Sequence, residues 1–141
     1  MLLAATARLP VDRHVPQATE IFRKGDTGER VSLLRSLALL PDPARFVELA
    51  IDACRSHVLD VLLAIAHHNP LPARSFPEPA FNQLVMKVLF VEQSLAPVVG
   101  WRARVRPDLL RMARDFAAER RAAGRPLPTD LPLLLAMETP P

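Results

Sequence analysis

Prolines divide this chain into short segments, and this punctuation limits the folds that the chain can adopt. The sequence contains 15 prolines among 141 residues, with close pairs at Pro41–Pro43 and Pro70–Pro72. A proline inside a helix removes a backbone hydrogen bond and clashes with the preceding turn, so each pair interrupts a regular element. Before the first pair, apolar residues such as Leu34, Leu37 and Ala38 recur at helical spacing. The pattern therefore predicts short helices joined by proline-containing turns.

The composition favours helices over a sheet. Of the residues, 50% are hydrophobic, yet only 5% are aromatic and tyrosine is absent. Leucine, valine and alanine must therefore build the core, whereas sheets are enriched in aromatic residues. Two proline-containing links, residues 41–46 and 70–76, resemble each other and lie about 30 residues apart, as in helical repeats. We expect an all-α fold: a single domain of about six helices, packed as antiparallel helical hairpins of the HEAT or armadillo kind.

Local signals mark the starts of two of these helices. Asp26, with Glu29 three positions later, forms a carboxylate version of the capping box. Pro107 opens a long amphipathic helix that runs through Ala123, and Gly124 is a signal for its end.

The chain length suits one domain with a sizeable core. Residues 1–16 show no clear period and are expected to form a loose N-terminal arm, followed by a helical domain over residues 17–137 and a tail over residues 138–141. The apolar start has no basic region and is too short for a signal peptide. No stretch approaches the roughly 18 apolar residues that a membrane span needs. These features predict a cytoplasmic protein.

The residue types present disfavour several function classes. Cys54 is the only cysteine, which excludes an internal disulfide and a multi-cysteine metal site. His67 and His68 are adjacent, so they point to different sides of a helix and do not chelate one metal together. Nucleic-acid-binding segments combine arginines with neighbouring aromatic residues. In the arginine-rich last third of this chain, Trp101 is the only aromatic residue next to an arginine. We expect no metal, no cofactor and no nucleic-acid partner.

Residues 79–91 form the most informative segment, an apolar helix that carries Asn82, Gln83 and Lys87. A buried polar group without a partner costs about 1–3 kcal/mol, so these groups must be bonded internally or line a site. In the first alternative, Asn82 and Gln83 bond the backbone of the loop 69–78 and Lys87 pairs with a carboxylate. In the second alternative, the three side chains orient the polar end of a mostly apolar ligand.

Asp60 is the one charged residue in a segment, Val58 to His67, that is apolar on nearly every side and is therefore expected to be buried. A buried carboxylate needs a partner. We expect Lys87, or an arginine such as Arg55 or Arg104, to supply it.

A run of short motifs matches a known family pattern in order and nearly without gaps. The matching residues are Ala64-Ile65, Asn69-Pro70, Pro72-Ala73, Phe76, Ala80-Phe81-Asn82-Gln83, Lys87, Leu89-Phe90, Gly100, Arg104, Pro107, Leu109, Arg111-Met112, Glu119-Arg120 and Arg125. Through these residues the segment Ala64–Leu131 resembles the EboA-domain family of bacterial metabolite-traffic proteins. The match covers about half of the chain.

The chain departs from the family pattern mainly in the loop 69–78 and near Gly100. Trp101, Arg102 and Arg106 stand where leucine, aspartate and asparagine are usual, and Leu71 and Ser75 stand where tyrosines are usual. If this region lines a ligand site, the chain handles a different ligand from other members. The candidate ligand contacts are Asn69, Phe76, Asn82, Gln83, Lys87, Trp101 and Arg104.

The resemblance implies a small helical protein encoded among genes for making or exporting a hydrophobic secondary metabolite, often near a prenyltransferase-like membrane protein. It implies no established catalytic residues. Our first hypothesis is a binding or adaptor protein that holds the hydrophobic small molecule or docks on a membrane-protein partner. The second is a cofactor-free isomerase or cyclase that uses Asp60, His67 or Glu78 in acid–base chemistry. The third is a purely structural subunit, for example of a homodimer.

Overall fold

The computed structural model describes Pro10 and residues 13–137, and within them every regular element is a helix, which confirms the all-α fold. The α-helices are α1 (His14–Lys24), α2 (Thr27–Ser36), α3 (Val47–Ala53), α4 (Leu59–Ala66), α5 (Leu71–Ser75), α6 (Glu78–Phe90), α7 (Pro107–Ala122) and α8 (Leu131–Leu135). Short 3-10 helices cover Leu37–Leu39, Pro43–Phe46 and Arg102–Arg104. No helix in this part of the chain is both long enough and apolar enough to span a membrane.

The described residues thus hold eight α-helices, more than the six or so expected. The difference arises because prolines also start helices in this chain. Helix α5 has Pro70 at its N-cap and Pro72 in its first turn, where the missing N–H would have no helical partner in any case. The expected loop 69–78 therefore contains a short helix.

The chain divides into two compact units, residues 1–76 and residues 77–141. In the first unit, α2 packs against α1 and α4, and α5 packs against α3 and α4. In the second unit, α7 packs against α6 and α8. One continuous domain over residues 17–137 and HEAT-like stacking of hairpins both stay predictions.

Helix α2 begins with the predicted capping box. The Asp26 carboxylate accepts a hydrogen bond from the Glu29 N–H at 2.8 Å, and the Glu29 carboxylate accepts one from the Asp26 N–H at 3.4 Å. These bonds satisfy two backbone donors that the helix itself leaves unpaired. The cap fixes the start of α2, whose Leu33 and Leu34 are buried in the core of the first unit.

Arg45 joins α1 to the turn that follows α2. Its Nη2 lies 3.2 Å from Nδ1 of the buried His14 and also donates to the Pro41 carbonyl. Its guanidinium carbon lies 5.1 Å from the centre of the Phe46 ring. Because an arginine only donates hydrogen bonds, this contact requires Nδ1 of His14 to act as the acceptor.

The expected N-terminal arm, residues 1–16, overlaps the start of α1. The helix begins at His14, a buried residue whose Nδ1 lies 3.2 Å from Nη2 of Arg45. Residues 1–9, 11 and 12 of the arm, and the tail 138–141, lie outside the described residues.

Helices α6 and α7 supply most of the core of the second unit. Their buried apolar residues are Phe81, Leu84, Val85, Val88 and Leu89 on α6, and Leu109, Leu110, Ala113 and Ala117 on α7. Burial of each large side chain contributes about 1.5–3 kcal/mol. Just before α8, the Asp130 carboxylate accepts hydrogen bonds from the Leu95 N–H at 2.8 Å and the Ser94 hydroxyl at 3.2 Å. This carboxylate ties the turn after α6 to the start of α8.

Replacing Asp26 by alanine tests the capping box. The change removes the acceptor of the Glu29 N–H, and we expect it to lower the free energy of unfolding by about 1 kcal/mol. The urea midpoint measures this loss. Asp26→Ser keeps a capping oxygen and should retain most of the stability, so equal losses in the two variants would show that the cap does not stabilise α2.

Candidate functional site

The polar residues of α6 do not share one surface. Asn82 is only 3% exposed, Gln83 is exposed to solvent and Lys87 is half-buried. Gln83 and Lys87 are one turn apart, whereas Asn82 is rotated by about 100° from Gln83 around the helix axis. The structure therefore separates Asn82 from the exposed Gln83 with which it was predicted to act.

Asn82 carries an acceptor that nothing in the described part of the chain satisfies. Its Oδ1 is buried and has no hydrogen-bond partner within residues 13–137. Any bond between Asn82 and the backbone of the loop 69–78 therefore does not use this oxygen, and the predicted tie itself stays a prediction. A buried acceptor left without a donor costs about 1–3 kcal/mol. Native structures hold few such groups, and each calls for a physical explanation.

Asn69 ties the turn before α5 to the neighbouring helices. This residue is 4% exposed. Its Nδ2 donates to the carbonyls of Leu34 at 2.9 Å and Ala64 at 3.1 Å, and its Oδ1 accepts from the Leu71 N–H at 3.1 Å. Both N–H groups and one lone pair of the amide are thereby engaged inside the first unit. These contacts give Asn69 a structural role. Its predicted contact with a ligand stays a prediction.

Two arginines of the second unit stack on aromatic rings. The guanidinium carbon of Arg104 lies 4.5 Å from the centre of the Phe81 ring, and that of Arg102 lies 4.5 Å from the Trp101 ring. Such contacts contribute about 0.5–1 kcal/mol at exposed sites. Phe81 and Arg102 are not among the predicted contacts. The adjacent pair Trp101-Arg102 is the signal in the sequence that could have identified the second of these stacks.

Three of the predicted ligand contacts, Asn82, Trp101 and Arg104, lie in the same unit. Arg104 packs on the residue that precedes Asn82, and its N–H donates to the Trp101 carbonyl at 3.1 Å. Asn82, Trp101 and Arg104 all belong to the second unit, and Trp101 is buried there. Asn69 and Phe76 belong to the first unit, where Phe76 is buried at the end of α5.

Asp60 is exposed, contrary to the prediction. It lies in the first turn of α4 beside Val58 and Leu59, which are 41% and 42% exposed. Asp60 forms no ion pair within residues 13–137, and Arg55 pairs with Asp52 at 3.5 Å instead. The predicted buried pair is therefore wrong. Although the helix is apolar on most sides, its first turn meets solvent, where a carboxylate complements the helix dipole.

The three candidate acid–base groups are divided between the two units. Asp60 and His67 stand at opposite ends of α4, roughly 10 Å apart along the axis. His67 packs its ring against that of His68, with 6.3 Å between the ring centres. Glu78 is exposed in the first turn of α6, in the second unit. No group of three histidine, cysteine, aspartate or glutamate residues in the described ranges is arranged to hold a metal ion.

A groove of about 510 Å³ runs along α1, where no site is predicted. Its lining residues are Val15, Pro16, Thr19, Glu20, Arg23 and Lys24. Lys24 donates a hydrogen bond of 2.8 Å to the Glu20 carboxylate, and this bond holds the pKa of Glu20 below its ordinary value. All of these lining residues belong to one helix and half of them are charged, which does not suit an apolar ligand.

The two buried asparagines are expected to respond oppositely to substitution. Asn69→Ala removes three buried hydrogen bonds and should lower the free energy of unfolding by roughly 2–4 kcal/mol. Asn82→Leu replaces an unsatisfied amide by an apolar group of similar size, so it should leave this free energy unchanged or raise it. Urea unfolding measures both. A loss in Asn82→Leu as large as that in Asn69→Ala would show that Asn82 also ties the fold.

Comparison with known proteins places the chain in a family. The family described as metabolite traffic protein EboA matches residues 1–136. No curated protein and no solved structure matches the chain. The family match spans nearly the whole sequence and includes the segment Ala64–Leu131 in which the motifs were found. The chain therefore belongs to the EboA family.

Proposed function

We propose that the chain binds a metabolite with an apolar body and one hydrogen-bond donor, and that Asn82 of the second unit accepts from that donor. The observation that supports this proposal is the buried Oδ1 of Asn82, which has no partner in the described part of the chain. A ligand hydroxyl or N–H that reaches this oxygen would recover the cost of its burial, about 1–3 kcal/mol.

The surroundings of Asn82 suit an apolar ligand. Phe81, Val85 and Leu89 lie on the same side of α6 and are buried. Ligand sites are commonly apolar, with a small number of polar groups that fix the orientation of the ligand. One amide oxygen on an apolar helix face matches that description.

Holding or transfer of a secondary metabolite fits the chain better than its conversion. The family description refers to metabolite traffic. Asp60 and Glu78 are exposed, whereas catalysis on a hydrophobic intermediate benefits from the exclusion of water. The cofactor-free isomerase or cyclase stays a prediction, because no contact in the described residues favours it.

A matched pair of ligands tests the role of Asn82. 2-Naphthol has an apolar body and one O–H donor, and 2-methoxynaphthalene has a similar shape without the donor. At 100 times its Kd, 2-naphthol should stabilise the wild-type chain by about 2.7 kcal/mol in total. We expect 2-methoxynaphthalene at the same concentration to stabilise the chain less. In Asn82→Leu the preference for the donor should disappear. Gln83→Ala, which changes an exposed residue of the same helix, should bind as the wild type does.

Thermal unfolding with each ligand measures this preference. Equal stabilisation by the two naphthalenes in the wild-type chain would show that no donor reaches Asn82. A preference that survives Asn82→Leu would place the binding site elsewhere.

An aromatic pair with one exposed and one half-buried ring supports a second candidate function, docking on a membrane-bound biosynthetic partner. Phe90, at the end of α6, is 64% exposed, and its ring centre lies 6.3 Å from that of Phe116 on α7. Arg120 stacks on Phe116 at 5.2 Å. Exposed apolar side chains that pack together on a surface commonly mark a contact with another protein.

Phe90→Glu tests this surface, with Gln83→Glu as the control because it adds the same charge to the exposed side of α6. The readout is cosedimentation of the purified chain with membrane vesicles from its source cells, before and after protease treatment of the vesicles. We expect Phe90→Glu to lose cosedimentation, since a buried charge at an apolar contact is costly. Protease treatment should remove the binding of the wild-type chain. Loss of self-association in Phe90→Glu, measured by sedimentation velocity, would assign the surface to a homodimer instead.

A further inference from the structure

Residues 101–106 concentrate positive charge on a short segment of the second unit. Arg102, Arg104 and Arg106 alternate with apolar residues, and no acidic residue lies between Gln93 and Pro107. Within the segment, Arg102–Arg104 form a 3-10 helix. The Cα atoms of Arg102 and Arg106 are therefore less than about 14 Å apart, and one bound group can contact both long side chains.

Nearby carboxylates do not neutralise this charge. Asp108 pairs with Arg111 at 3.6 Å, and Asp130 accepts hydrogen bonds from the turn after α6. Neither Arg102 nor Arg106 forms an ion pair in the part of the chain that the structure describes, and both side chains are exposed. Like charges this close repel one another, and a bound anion would remove the repulsion.

Protein contacts hold both guanidinium groups in place. Arg102 stacks on the Trp101 ring at 4.5 Å. Nη1 of Arg106 donates to the carbonyls of Ala103 at 3.2 Å and Val105 at 3.1 Å. Nη1 of Arg102 also donates to the Met137 sulfur at 3.5 Å. Each guanidinium group has five N–H donors, so further donors are left for a ligand. A guanidinium group that is already ordered loses less conformational freedom when it binds.

We propose that residues 101–106 form an anion-binding loop for a phosphate or diphosphate group. Guanidinium groups match phosphate oxygens through paired hydrogen bonds. A group with two or more negative charges also complements several arginines better than a monocarboxylate does. The loop would then bind the charged end of a phosphorylated metabolite. That last step rests on the function proposed above, whereas anion binding rests on the arginines alone.

Titration with inorganic pyrophosphate at constant ionic strength tests the loop. Trp101 is the only tryptophan of the chain, and its fluorescence should respond because Arg102 stacks on its ring. We expect a saturable change with pyrophosphate, weaker binding of orthophosphate and no binding of acetate. Isothermal titration calorimetry gives the Kd without depending on the tryptophan.

Two double variants distinguish binding of pyrophosphate at residues 101–106 from nonspecific electrostatic attraction to the positively charged chain. Arg102→Gln with Arg106→Gln should raise the Kd for pyrophosphate by at least about tenfold, since it removes charge-assisted hydrogen bonds from two side chains. Arg121→Gln with Arg125→Gln removes the same two charges from exposed positions outside the loop. This control should bind pyrophosphate as the wild type does.

The outcomes distinguish the loop from the Asn82 site. A wild-type chain that shows no saturable binding overturns the loop, and so does an equal rise of the Kd in both double variants, because affinity would then follow net charge. If pyrophosphate binds through the loop while the chain shows no preference for 2-naphthol, the anion site stands without the apolar site. If the preference is present and pyrophosphate does not bind, the Asn82 site stands alone.

Discussion

The hydrogen bonds of one buried amide, that of Asn69, hold the first unit together. The carbonyls of Leu34 and Ala64 lie in the last turns of α2 and α4, where a helix leaves its carbonyl groups without internal partners. The Asn69 side chain donates to both carbonyls and accepts from the Leu71 N–H. The Asn69 side chain therefore joins the last turns of α2 and α4 to the start of α5.

Asn82 has the same residue type and nearly the same burial, and its oxygen has no donor in the described residues. The contrast with Asn69 gives the proposed function its physical basis. A polar group that stabilises a fold is bonded within it, whereas a group kept for a ligand remains unsatisfied until the ligand arrives. Its position on a buried, otherwise apolar side of α6 also explains why a mostly apolar molecule is proposed.

Arginines take up two different roles in the two units. Arg45 is used internally, since it donates to a backbone carbonyl, faces a buried imidazole and stacks on Phe46. Arg102 and Arg106 are ordered by similar contacts, but their remaining donors face solvent and no carboxylate among the described residues pairs with them. Guanidinium groups that are held in place but not paired with carboxylates suit an anion site, whereas solvated surface charges are not held in place.

The sequence by itself determined the features that depend on neighbours within one or two turns. The all-α class, the cap at Asp26 and the helix that begins at Pro107 follow from local spacing, because their interactions join residues three or four positions apart. Tertiary structure decided which polar groups have partners. Asn69 bonds a carbonyl 35 residues earlier in the chain, and packing exposes Asp60 on an otherwise apolar helix. The two asparagines carry the same amide and differ in the backbone atoms that packing places around them. For that reason the Asn69 side chain is hydrogen-bonded within the fold, whereas the Asn82 oxygen has no donor among the described residues.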